Sequence, residues 1–310
     1  MKTLNYISAL LLAVTIIGCK KETAVAEVKK EDTAAIKKDT VIEPEFHKEL
    51  YGLYTGDFSG IEMMKDDVPG GGGDEYETEV YKRMTLKINR ITKDSVYGQS
   101  IVNGNQRPFR GVFNENSKTF VLDEPGTDKT DGRFEVKINA DSLSGKWMAF
   151  NKGAVKAPNK KVKLVKKEFA YNPNFMLDEN SDLIDWSNPK EFVEKYIDPD
   201  TKQAEKYTTQ KNRMASDAVF KLNASKQKLT ESQLKNLRKL DLQIIKNSVF
   251  ARHGYSFKKE TFRNFFEQTD WYIPVSTNVD NDLTPMEKEN VALLNRFIKY
   301  AEDRYDYFGR

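Results

Sequence analysis

Few side chains in this sequence suit nucleophilic or imidazole chemistry. Its 310 residues include one cysteine, Cys19, and two histidines, His47 and His253. A single cysteine excludes an intramolecular disulfide and any multi-cysteine zinc site. His47 falls in a stretch that reads as tether, so imidazole catalysis would rest on His253, and no serine or cysteine nucleophile is spaced beside it. Carboxylates are plentiful, yet no pair is spaced to argue for general acid–base work. No catalytic residue, metal site or cofactor is therefore expected. Pro69-Gly70-Gly71-Gly72-Gly73 lacks the Gly-Lys-Ser/Thr ending of a phosphate loop, and Asp74 and Glu75 follow it and would repel phosphate. The acids Asp66, Asp67, Asp74, Glu75 and Glu77 miss the EF-hand spacing and read as a solvated loop. The candidate binding residues are Arg252, His253, Trp271 and Tyr272. A cation, an imidazole and two large aromatics are hot-spot chemistry for a sugar, a peptide or an anion. The same residues would equally serve to hold a small domain together.

The amino terminus carries a different kind of chemistry. Lys2 precedes an apolar run, YISALLLAVTIIG, which ends at Gly18-Cys19 and is followed at once by Lys20 and Lys21. The run has signal-peptide length and falls short of the ~20 apolar residues a spanning helix needs. Ile16-Ile17-Gly18-Cys19 resembles the lipobox of bacterial lipoprotein precursors. That resemblance implies cleavage after residue 18, acylation of Cys19, and attachment to a membrane through the lipid. Acyl chains contribute about 0.8 kcal/mol per buried methylene. Residues 19–46 are rich in Lys, Glu, Asp, Ala and Thr, without aromatics before Phe46, and read as a charged disordered tether of roughly 30 Å mean span.

Stepping along the chain, residues 50–170 read as a β domain. Met84, Leu86 and Ile88 fall on one face of a strand, as do Phe134, Val136 and Ile138. Asn103-Gly104 between two such runs signals a tight hairpin. About eight strands follow, near 51–60, 77–91, 94–102, 106–113, 118–123, 133–139, 142–150 and 160–169. An antiparallel meander or a small closed barrel results, closure removing the edges. Gly52-Leu53-Tyr54-Thr55-Gly56-Asp57-Phe58 resembles the first strand of a lipocalin-type barrel. If the barrel is hollow, Met84, Leu86, Phe134 and Trp147 would line an apolar site; small barrels are usually filled by their own side chains.

Residues 171–228 read as a linker. In it Asn188 and Pro189 open a short helix, KEFVEKYI, and Ala218–Leu222 forms a strand-like piece. A helix begins at Thr230, with Gln233 at capping-box spacing. Leu234, Leu237, Leu240 or Asp241, Ile244, Ile245, Ser248 and Val249 continue it at helical intervals, and Gly254 is placed as its left-handed cap. The run ends in Phe250-Ala251-Arg252-His253-Gly254-Tyr255. With Asn247, Phe257, Phe265-Phe266, Trp271-Tyr272, Glu287 and Asn290, this stretch resembles the YARHG domain over residues 229–302. The resemblance implies an extracellular bacterial domain and supplies no reaction. Thr284-Pro285-Met286-Glu287 then starts a final helix whose apolar side carries Val291, Leu294, Phe297, Ile298 and Ala301.

The fold class expected is thus α+β: a β-meander or lipocalin-like barrel followed by a small, mainly helical domain. The charged residues nearly cancel, 50 basic against 47 acidic, which argues against a dedicated nucleic-acid binder. The functional expectation is a non-enzymatic envelope lipoprotein that binds a protein or glycan partner. The alternatives are a carrier of a lipophilic molecule inside the barrel and a hydrolase.

Overall fold

The computed structural model describes residues 43–65 and 73–306. Cys19, the lipobox-like segment, nearly all of the tether, Asp66, Asp67 and the glycines from Gly70 to Gly72 lie outside the described residues.

Eight strands close into an up-and-down antiparallel barrel: β1 (Gly52–Lys65), β2 (Glu75–Ile91), β3 (Val96–Val102), β4 (Asn105–Asn114), β5 (Thr119–Asp123), β6 (Gly132–Asn139), β7 (Ser142–Ala149) and β8 (Asn159–Lys167). Side chains alternate in and out along every strand, so a period-two apolar pattern fills one compartment. Met84, Leu86 and Ile88 of β2, Phe134, Val136 and Ile138 of β6, and Val162 and Leu164 of β8 form a single buried cluster with Tyr54, Phe120 and Trp147. The barrel is packed through its middle. Closure comes from β8 pairing with β1 over residues 53–59, while residues 60–65 of β1 pair only with β2 and extend past the barrel rim. Asn103 and Gly104 both have positive φ, 53° and 72°, as a two-residue type I′ hairpin requires. At Gly132 a Cβ would come within 2.4 Å of the Trp147 ring, so only glycine leaves room for that indole.

His47 belongs to this domain and not to the tether. Its ring packs edge-on against Phe113 and bonds Glu115 at 2.5 Å, while Phe46 N–H donates to the Ile91 carbonyl. The charged run alone made the tether seem to reach Phe46; pairing with a distant strand end is invisible locally.

Two further expectations need correction. KEFVEKYI is a strand, β9 (Lys190–Ile197), paired with β10 (Ala204–Arg213) and extended by the short β11 (Tyr305–Asp306). Phe192 faces Thr209 across the pair and meets the Tyr305 ring at 5.5 Å. A helix here would have had no apolar surface to bury against, and cross-strand pairing outweighs local preference. Conversely, the strand-like piece is the helical turn α1 (Ala218–Lys221).

The remaining helices are α2 (Glu231–Leu234), α3 (Lys239–Arg252), α4 (Glu260–Glu267) and α5 (Pro285–Tyr300). The expected single helix from Thr230 is broken between α2 and α3. Asp241 supplies the reason: its carboxylate accepts from Arg238 N–H and from both the N–H and hydroxyl of Ser216. A buried acid thereby starts a second helix where a continuous apolar stripe would have run straight on. Leu240, Ile244, Ile245 and Val249 of α3 pack with Phe265 and Phe266 of α4 and Leu294 of α5. The barrel docks on this layer through polar contacts. Arg83 donates to the Glu267 carbonyl at 2.7 Å, Lys82 pairs with Glu260 at 2.9 Å, and Gly104 N–H donates to Ser256 Oγ at 3.0 Å.

Candidate functional site

The four residues singled out by their chemistry lie close together, and the protein itself occupies them. The end of α3 forms a Schellman cap: Tyr255 N–H donates to the Phe250 carbonyl, Gly254 N–H to Ala251, and Gly254 has φ 74°. This turn sends Arg252 and His253 toward the connecting segment that leaves the barrel. Arg252 is 2% exposed; its Nε donates to the Phe175 carbonyl at 2.6 Å and its Nη1 to Ser225 Oγ at 3.2 Å. Burial lowers its pKa to about 10, which leaves it charged at neutral pH. Trp271 stacks on Phe175 at 5.2 Å and donates its indole N–H to the Met176 carbonyl at 2.8 Å.

His253 and Tyr272 complete the arrangement. His253 Nε2 lies 2.9 Å from Glu287 Oε2, and its ring stacks on Tyr171 at 4.3 Å. Tyr171 donates to the other Glu287 oxygen at 3.0 Å. Glu287 also accepts from Thr284 N–H as the closing member of the α5 capping box, so one carboxylate ties α3, α5 and the connector. Burial alone would raise its pKa; the bonds from His253, Ser225 and Thr284 N–H hold it down at about 2. Tyr272 is 1% exposed and donates to the Tyr255 carbonyl. Asn290 accepts from Leu229 N–H and donates to the Ala224 and Gln227 carbonyls. These hydrogen bonds run between the helices and to the connector.

Residues 217–298 match the model of the YARHG domain family. This region is a YARHG domain. No curated protein and no solved structure matches the chain. The match begins at residue 217 and so takes in α1 as well as the helices that follow. In this YARHG domain, Arg252, His253 and Trp271 grip the connector through Tyr171, Phe175 and Met176, while Tyr272 bonds within the domain to the Tyr255 carbonyl. They offer a ligand little free surface.

A second constellation went unread in the sequence. Barrel positions that face inward turn from apolar to polar at one end. Arg107 shares the inward parity of Phe109, Lys160 that of Val162 and Leu164, and Glu124 that of Phe120 and Leu122. The side chains of Phe58, Met84, Asn103, Asn105, Arg107, Glu124, Thr130, Phe134, Trp147 and Lys160, with their neighbours, line a cavity of about 260 Å³ in this mouth. Asn105 and Arg107 also line a shallower cleft that runs toward Tyr255, Lys258 and Thr277 of the YARHG domain. The other end is stopped by Leu50, Tyr51 and Phe113, and Tyr54 donates its hydroxyl to the Leu50 carbonyl.

The mouth has a fixed wall and a free one. Glu124 accepts from Ser100 Oγ at 2.6 Å, Gly132 N–H at 2.8 Å and Trp147 Nε1 at 3.3 Å. Burial raises its pKa against those hydrogen bonds and the nearby Arg107. Arg107 Nε lies 3.0 Å from the buried Asp131, and its Nη2 donates to Thr130. Lys160 differs. Its ammonium sits over the rings of Phe58 and Trp147, at 4.8 and 5.7 Å, with no ion pair among the described residues. Burial lowers its pKa, and Glu62 opposes that. Among the described residues no group of three or more His, Cys, Asp or Glu side chains is placed to hold a metal. Inward parity was the signal available for Arg107 and Lys160: each is a charge on the core face of a strand.

Proposed function

We propose that this protein is a bacterial envelope lipoprotein, anchored by lipid on Cys19, that binds a small polar ligand at the barrel mouth without transforming it. The observation that carries the binding reading is Lys160: a half-buried cation beside a cavity, with no ion pair among the described residues. A charge so placed costs desolvation that a ligand would offset. The anchoring half rests on the lipobox resemblance at Ile16-Ile17-Gly18-Cys19 and on the apolar run before it. The non-enzymatic reading rests on engagement of the reactive groups. Glu124 is held by three donors and His253 by Glu287. A lipophilic cargo has little room, because Met84, Leu86 and Phe134 are packed in the barrel core and the open cavity is about 260 Å³.

The test uses the full chain in detergent micelles, titrated calorimetrically with soluble saccharide and peptide fragments released from bacterial envelopes. Saturable binding is expected, with the fragments recovered unchanged in mass. Cleaved or modified fragments would show an enzyme, and a flat titration would remove the binding module. Separately, Cys19→Ala should move the protein from the detergent phase to the aqueous phase. Retention of that variant in detergent would sink the anchor.

A further inference from the structure

We infer that the edge strand β9 is a dimer interface: it pairs antiparallel with β9 of a second copy of this chain across a two-fold axis. The inference is independent of the ligand reading given above and concerns the three-stranded sheet alone.

The sheet runs β11-β10-β9, which leaves one edge of β9 unpaired among the described residues. Asp198 N–H donates to the Gln203 carbonyl at the hairpin end, and hydrogen-bonded pairs recur at every second residue of an antiparallel ladder. Tyr196, Glu194 and Phe192 therefore turn their backbone groups toward β10, and the Thr209 hydroxyl reaches the Phe192 carbonyl from that side. Glu191, Val193, Lys195 and Ile197 turn theirs outward. An eight-residue edge of this kind is a template for another strand. Its apolar side chains are uncovered as well: Val193 is 68% exposed, Ile197 63% and Tyr196 50%.

Charge selects the occupant. Glu191, Val193, Lys195 and Ile197 share one face of the strand. Glu191 and Lys195 stand about 13 Å apart along it, too far to pair with each other. Both are exposed, and neither makes an ion pair among the described residues. Lys195 also lies opposite Lys206 of β10, a like-charge pair that costs stability. In an antiparallel pair centred on Val193, Glu191 of each copy falls opposite Lys195 of the other. Two ion pairs then flank a Val193–Val193 contact, and each Lys195 gains the acid that its own sheet lacks.

The hydrogen bonds fit the same frame. Val193 N–H of each copy donates to the Val193 carbonyl of the other, and Glu191 and Lys195 exchange both of their bonds. Ile197 falls opposite Pro189, whose missing N–H ends the ladder. The neighbouring frames that keep outward groups facing each other fit less well. Centring on Glu194 sets that carboxylate against itself. Centring on Phe192 sets Val193 against Glu191 and Lys195 against Pro189. A patch that complements itself makes an isologous, two-fold contact. A foreign strand would satisfy the backbone groups, but the charge pattern fits a second copy.

The experiment measures the oligomeric state of the full chain by sedimentation equilibrium in density-matched detergent, with micelles in excess. Wild type should form a concentration-dependent dimer. Val193→Pro removes an outward N–H without touching the bonds to β10, and should weaken dimerisation about tenfold or more. Glu191→Lys and Lys195→Glu should each weaken it by about as much, because like charges then meet twice across the axis. An equimolar mixture of those two variants sets opposite charges against each other again and should recover dimers. Lys195→Glu also relieves the contact with Lys206, so its Tm should match or exceed that of wild type and its lost dimer is not lost fold. A monomeric wild type, or a dimer untouched by Val193→Pro, would overturn the interface. A mixture that stays monomeric would overturn the register. If amides 191–197 of a monomeric wild type gain hydrogen-exchange protection only when envelope protein is added, the edge belongs to a foreign strand and the second copy is overturned.

Discussion

Arg252 Nε meets the Phe175 carbonyl at 2.6 Å across 77 residues of sequence, joining the end of α3 to the chain that leaves the barrel. The same guanidinium reaches Ser225, and Trp271 holds the adjacent Met176 carbonyl. The YARHG motif here is a clamp on the polypeptide that precedes it. That accounts for needing an arginine: Nε, Nη1 and Nη2 of one planar fork reach the Phe175 carbonyl, the Ser225 hydroxyl and the Met176 sulfur, which a lysine ammonium would not span together.

Arg252→Ala should lower unfolding free energy by about 3 kcal/mol, since it opens a cavity and leaves buried acceptors unpaired. Arg252→Lys should recover less than half of the loss. Urea unfolding followed by Trp fluorescence checks both; a lysine variant as stable as wild type would mean that charge alone suffices.

Gly254 gives a sharper case. A Cβ there would lie 2.4 Å from Val275 Cγ2 and 2.9 Å from Phe169, at a φ of 74°. Gly126 has a similar φ of 77° but nothing nearer than 3.9 Å. Gly126→Ala should cost about 1–2 kcal/mol, the left-handed penalty alone. Gly254→Ala should cost at least twice that, with a correspondingly larger fall in Tm. Equal falls would mean that the packing around Gly254 yields freely.

Glu287 links the clamp to pH. Its pKa is held at about 2, below its ordinary 4.5, so it contributes stability that is fully present above pH 4.5. That stability is lost as pH falls from 4.5 toward 2. Glu287→Gln should lower stability at pH 7 and flatten the curve through that window. Denaturation midpoints at a series of pH values measure it; parallel curves for the two proteins would contradict the role given to Glu287.

Glu124 should behave with the opposite sign. Burial raises its pKa above 4.5, so its contribution is most favourable below that value and declines as pH rises through the raised one. Glu124→Gln should remove that decline. The same midpoint series, extended from pH 4 to pH 8, reads it directly, and a variant that keeps the wild-type slope would assign the decline elsewhere.

Much of the architecture was legible before any coordinates. Alternation at Met84–Ile88 and Phe134–Ile138, with the Asn103-Gly104 turn, is enough to write eight strands and a barrel, because a half-buried strand must alternate. Thr284-Pro285 and Gly254 announce their helix ends through backbone geometry that few residue types satisfy. The strand at 190–197 was not legible. Phe192, Val193, Tyr196 and Ile197 suit a helical stripe as well as a strand, and only β10 decides between them. The break before α3 was hidden for a related reason: Asp241 acts on Ser216, far outside any local window.

The site divides in the same way. Residue types alone determined that metal-thiolate and imidazole-cluster chemistry had almost no material; the resemblance to the YARHG domain set Arg252, His253, Trp271 and Tyr272 together. Whether those four faced a ligand or one another was decided by the fold, because burial depends on what another segment brings. Tyr171, Phe175 and Met176 arrive from a linker with no evident pattern. Lys160 and Arg107 were ordinary charges in the sequence, two among 50 basic residues. Closing the barrel turned both inward at one mouth, beside an aromatic wall, and long-range closure is what no local reading contains.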